Sequence, residues 1–158
     1  MKNNIEFNQT EHKKLWEYMG KRSTIKEMKD IFLEPLAYDN TLSDLFDLVD
    51  DTKSEYMLEH GFGDSVLCDC FACDTSHRID SFYRCKYCPI LIGCCLDDYE
   101  EQGNKFIYGT SLYNNYVCAL YNYINKEEKL KTVQEFASSI ANAELDVVII
   151  KRYNIKVI

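Results

Sequence analysis

The residues most able to do chemistry are the eight cysteines, Cys68, Cys70, Cys73, Cys85, Cys88, Cys94, Cys95 and Cys118. Their centre is Cys70-Phe-Ala-Cys73, eleven intervening residues, then Cys85-Lys-Tyr-Cys88. A CxxC turn aims two thiolates at one point, and two such turns supply the four ligands of a tetrahedral zinc site, with Zn–S near ~2.3 Å. The spacing predicts one structural Zn2+ held by Cys70, Cys73, Cys85 and Cys88, with residues 74–84 as the loop that returns the chain. Each thiolate must lose its proton, so binding is linked to pH and to folding. Arg78, Arg84 and Lys86 offset the negative charge of a four-thiolate centre. Cys68, Cys94, Cys95 or His77 could replace a member of the set or support a second metal. A loop histidine is more often solvated than ligating. Cys118 falls in a predicted helix and reads as a buried apolar residue.

Other cysteine chemistries fit less well. Disulfides need an oxidising compartment, and residues 1–16 lack the apolar block of a secretory signal. Cys88-Pro89 resembles the end of a ferredoxin cluster motif, but the close CxxCxxC run is missing. A thioredoxin-like pair needs a βαβ pattern that is not evident. Catalytic zinc needs an open coordination position, which four cysteines close. No HExxH, Walker loop, GxGxxG or GxSxG occurs, and no His-x-Glu stands before a PCxxC. A non-enzymatic role is expected, with a metal-dependent enzyme as the weaker alternative.

The elements that must position these cysteines are mostly helical. Thr10 can cap a first helix with Leu15, Trp16 and Met19 on one face and Gly20 at its exit. Thr24 and Glu27 fit a capping box for a second, lined by Ile25, Met28, Ile31 and Phe32 and stopped by Pro35. A third runs through Leu42, Leu45, Phe46 and Val49, with a break near Asp50 and Asp51, and continues through Tyr56 and Met57 to Gly61 and Gly63. Residues 112–124 and 126–145 read as two more. Residues 146–158, rich in Val and Ile, read as one or two short strands. The expected fold is mainly α, with a small zinc-knuckle or ribbon-like cysteine region and a short C-terminal β segment, in the α+β class. The expected layout is one domain over residues 1–158. It has a helical part at 1–63, a cysteine-rich region at 64–103 that holds seven of the eight cysteines, and C-terminal helices plus strands at 104–158.

At 158 residues, 46% hydrophobic and 28% charged, the chain has the composition of an ordinary globular domain. No apolar run is long enough to span a membrane, and a cytoplasmic location is expected. The net charge is −8. Residues 31–69 carry ten acidic side chains against one lysine, a net of −9. That balance opposes nucleic-acid binding, which needs clustered Lys and Arg. The acidic block reads either as a solvated face or as a docking surface for a basic partner.

Glu11-His-Lys-Lys-Leu-Trp16, Cys70-Phe-Ala-Cys73, Cys85-Lys-Tyr-Cys88-Pro-Ile90 and Cys95-Leu96 occur in that order. In these elements the chain resembles a group of small cysteine-rich proteins of phages and prophages of low-GC Gram-positive bacteria. Residues 31–64 look longer and more acidic than the group's usual connection, and residues 146–158 extend past its usual end. The resemblance implies a phage setting, hence the infected cell's cytoplasm, and carries no activity. The resulting expectation is a protein that binds a macromolecular partner with a basic nucleic-acid-binding surface. It could act by inhibiting a host defence factor such as a CRISPR nuclease. The alternative is a zinc-knuckle protein for single-stranded nucleic acid, using Phe82-Tyr-Arg-Cys-Lys-Tyr87 to stack bases.

Overall fold

Trp16 lies at the centre of the molecule, 2% exposed, with the rings of Tyr113 and Tyr116 edge-on to it at 5.9 and 5.2 Å. The computed structural model describes residues 5–34, 39–63, 71–80, 87–91, 100–102 and 105–158. In chain order the elements are β1 (Glu6–Phe7), α1 (Gln9–Met19), α2 (Arg22–Phe32), α3 (Leu42–Glu59), α4 (Phe71–Ile79), β2 (Glu100–Gln102), β3 (Lys105–Ile107), α5 (Leu112–Ile124), α6 (Leu130–Ala141), α7 (Val147–Arg152) and β4 (Lys156–Val157). The fold is mainly helical. β1 pairs in parallel with β4, and β2 pairs antiparallel with β3.

α5 is the axis of the core. Its Tyr116, Val117, Ala119 and Leu120 are fully enclosed, and α3, α6 and β3 all pack on it. Burying an aromatic or aliphatic side chain of this kind contributes ~2 kcal/mol. Tyr116 also needs a partner for its hydroxyl, and donates to the Met19 carbonyl at 2.9 Å. Two asparagines seven residues apart on α5 hold the chain before it. The Asn122 amide bonds both the N–H and the carbonyl of Phe106 at 2.9 Å, and Asn115 does the same for Gly109 at 2.7 and 2.8 Å. The end of α1 meets α6 closely: a Cβ at Gly20 would stand 3.1 Å from that of Ala137.

Several expected boundaries differ from the structure. Asn8, rather than Thr10, caps α1, accepting from the Glu11 N–H. α2 begins at Arg22, which places Thr24 inside the first turn, where it cannot act as a cap. α3 is unbroken through Asp50 and Asp51, because Asp50 pairs with Lys53 one turn on. Lys126 has a left-handed backbone (φ 64°), so α6 starts only after it, at Leu130.

Two differences bear on fold class. Residues 74–79, expected in a loop, belong to α4. Asp74 sits in its first turn and pairs with Arg78 at 3.0 Å, and Phe71, Ala72 and Thr75 are buried. Among the described residues, no zinc knuckle is formed. Residues 147–152, expected as strand, form α7, because Asp146 caps it and Lys151 and Arg152 occupy its last turn. Local capping here outweighs the weak strand preference of Val and Ile. Only Lys156–Val157 is strand.

Candidate metal centre and acidic face

α4 carries Cys73, which is half-buried. The helix is fixed from below by Thr75, whose hydroxyl donates to the Glu6 carbonyl at 2.9 Å, and it packs on α1 and β1. One turn after Cys73, the Ser76 hydroxyl accepts the Tyr87 N–H at 3.2 Å. That bond draws the second cysteine pair's segment against α4, and Cys88 is the next residue. The segment is anchored again beyond it. The Pro89 carbonyl accepts from Asp146 and the Leu91 N–H donates to Glu144, both at 2.8 Å, with Ile90 bridged to Leu145. Tyr87 also sets its ring edge-on to Tyr153 at 5.0 Å.

Of the four expected ligands, Cys73 and Cys88 are therefore carried by neighbouring, anchored segments, both half-buried. Cys70 and Cys85 lie outside the described residues, as do Cys68, Cys94 and Cys95. Among the described residues, no three His, Cys, Asp or Glu side chains are grouped so as to hold a metal. By residue type Cys73, Cys88 and His77 are donors that zinc takes, though among the described residues they are not grouped; His77 lies one helical turn from Cys73, and its buried Nδ1 makes no hydrogen bond. His77 belongs to the last turn of α4 and not to a loop. Cys118 is 1% exposed on α5, and burial pushes its thiol up to about 12, so it stays a neutral core residue.

The acidic block becomes a surface through α3. Asp47, Asp51, Glu55 and Glu59 are exposed along its outer side, with Leu58 at 68% exposure among them. The one lysine of the block is turned the other way. Lys53 is 4% exposed, and its ammonium pairs with Asp50 at 3.1 Å and lies over the rings of Tyr113 at 4.3 Å and Trp16 at 5.9 Å. The Tyr113 hydroxyl donates to the same Asp50 oxygen at 2.6 Å. Burial holds that phenol well above its ordinary range, so it remains a donor. The exposed side of α3 thus carries only negative charge. Sequence reasoning missed this, since composition counts a lysine without showing where it points. The signal was an Asp–Lys pair three residues apart on a predicted helix.

No family model, curated protein or solved structure matches this chain. No helix among the described residues is long and apolar enough to cross a membrane.

Proposed function

We propose that the chain is a non-enzymatic, zinc-stabilised protein of phage or prophage type that binds a protein partner through a basic surface of that partner. The observation that carries this reading is the outer side of α3, where Asp47, Asp51, Glu55 and Glu59 face solvent while Lys53 is spent inside the core. Such a surface attracts a basic partner over a Debye length of about 8 Å at physiological salt and repels phosphate. Covering the nucleic-acid channel of a host defence factor, such as a CRISPR nuclease, is one action it fits. The phage setting rests on the sequence resemblance alone.

The metal part of the reading is supported by the Ser76–Tyr87 bond, which sets the Cys88 segment beside the helix that carries Cys73. Zinc bound by Cys70, Cys73, Cys85 and Cys88 would join those segments through their side chains, and a structural zinc contributes ~10 kcal/mol or more of binding free energy. Elemental analysis of purified protein should give about one zinc per chain, and Cys73→Ser or Cys88→Ser should lose it with a large drop in melting temperature. Protein that folds to the same stability in a strong chelator would rule the centre out. The partner part is tested separately, by association with an immobilised basic protein that weakens with salt. Salt-dependent retention of labelled single-stranded RNA in its place would favour the nucleic-acid alternative.

A further inference from the structure

Three helices meet at an aromatic ledge beside the outer face of α3. Tyr18 of α1 and Tyr56 of α3 stand 4.9 Å apart at 32°, and Tyr56 stacks on His60 at 3.9 Å and 23°. The His60 Nδ1–H donates to the Tyr56 carbonyl at 2.7 Å, which fixes the imidazole against the phenol ring. Tyr56, the middle ring, is buried, while the outer two rings reach solvent, Tyr18 half-buried and His60 exposed.

Exposed carboxylates adjoin the three ring residues in the chain: Glu17 precedes Tyr18, Glu55 precedes Tyr56 and Glu59 precedes His60. Burial raises the Tyr18 phenol, and the charges of Glu27 on α2 and of Glu59 and Glu55 on α3 raise it further. Burial and then Glu11 and Glu17 of α1 do the same to Tyr56. Acidic side chains on all three helices thus act on the two phenols, with the exposed cations Lys21 and Arg22 at the turn from α1 to α2. Among the described residues, Glu17, Glu27, Glu55 and Glu59 make no ion pair. Glu11 shares an exposed contact with Lys14 at 3.3 Å. On α2, Lys26 pairs with Asp30, and on α3 Lys53 is buried on Asp50.

We propose that this ledge is a seat for arginine side chains of a basic protein partner. It offers what a guanidinium needs: the solvent-reaching rings of Tyr18 and His60 to lie on, and exposed carboxylates on the adjoining residues Glu17, Glu55 and Glu59 to take its forked N–H groups. Lysine satisfies only the charge, because its ammonium is a compact, strongly hydrated point with no plane to stack. Charge complementarity selects the occupant, since a phosphate-bearing ligand meets five carboxylates here. The inference rests on the basic-partner reading and narrows it to one residue type and one location.

The test uses full-length protein and two labelled peptides of equal charge, nona-arginine and nona-lysine, followed by fluorescence anisotropy. Wild type should prefer nona-arginine by ~10-fold. His60→Ala, which removes an exposed ring, should abolish that preference. Glu55→Gln/Glu59→Gln should weaken nona-arginine ~10-fold more than Asp47→Asn/Asp51→Asn, which removes the same charge elsewhere on α3. Equal losses in the two double variants, or equal affinity of wild type for both peptides, would overturn the seat and leave the basic-partner reading standing. Failure of wild type to bind either peptide at low salt would overturn both.

Discussion

His12 is 3% exposed at the contact of α1 with α6, and the Ile140 carbonyl can only accept, so Nε2 carries the proton and donates at 2.9 Å. Nδ1 is buried with no partner. Burial, offset in part by that bond, lowers the group from 6.5 to about 4. The ring is thus neutral when folded, and an unfolded chain binds the extra proton first as pH falls below 6.5. Its stabilising share is whole above that pH and gone below about 4, a swing of ~3 kcal/mol. Urea midpoints at about pH 7.5 and about pH 5 should differ more in wild type than in His12→Gln, because the carboxylates common to both cancel. A second residue-scale outcome concerns Tyr113. Tyr113→Phe keeps the ring under the Lys53 ammonium but removes the donor to Asp50, and should cost ~1 kcal/mol in the same titration. Neither role was legible in the sequence. A histidine in a predicted helix and a tyrosine in a Tyr-rich one carry no mark of which carbonyl or carboxylate they will face.

The elements were readable where local signals agreed with packing. Residues 112–124 are α5 as expected, because Ser111 caps it, accepting from the Asn114 N–H, and its apolar side chains recur on the period of the core. The line Ile25, Met28 and Phe32 on α2 is buried as its spacing requires. The sequence misled where two signals competed. Val147 to Ile150 have strand-forming side chains, but Asp146 before them and two basic residues after them specify a short helix. α4 was hidden for a different reason: the cysteine spacing suggested a turn, while the Asp74–Arg78 pair and buried Thr75 favour a helix. Of the expected metal ligands, Cys73 lies on α4 and Cys88 on the segment bonded to it, while Cys70 and Cys85 lie outside the described residues. Asn122 is the element-scale handle. Asn122→Ala would strip both bonds to Phe106, leave its backbone groups without these partners, and should cost ~2 kcal/mol, read as faster amide exchange over β3 than over α6.

Across the whole molecule, one core joins segments far apart in the chain. α1 touches α6, α3 touches α5, and β1 is paired with β4. Long-range contacts of this kind slow folding, since chain closure must be completed before they form. If zinc is bound as proposed, a chelator should lower the melting temperature in a single cooperative step when the cysteine region and this core unfold together. Two resolved transitions in calorimetry would show that the centre stabilises only its own neighbourhood.

The pairing of Glu6–Phe7 with Lys156–Val157 runs in parallel, so residue 5 and residue 158 lie at opposite ends of the ladder. A force that separates them loads the bonds from Lys156 N–H to the Ile5 carbonyl, from Ile158 N–H to the Phe7 carbonyl and from Thr10 N–H to the Ile158 carbonyl in shear, all at once. An antiparallel closure would open like a zipper, one bond after another. Pulled in an optical trap, this chain should therefore hold until it yields abruptly, with a mechanical strength out of proportion to so short a ribbon.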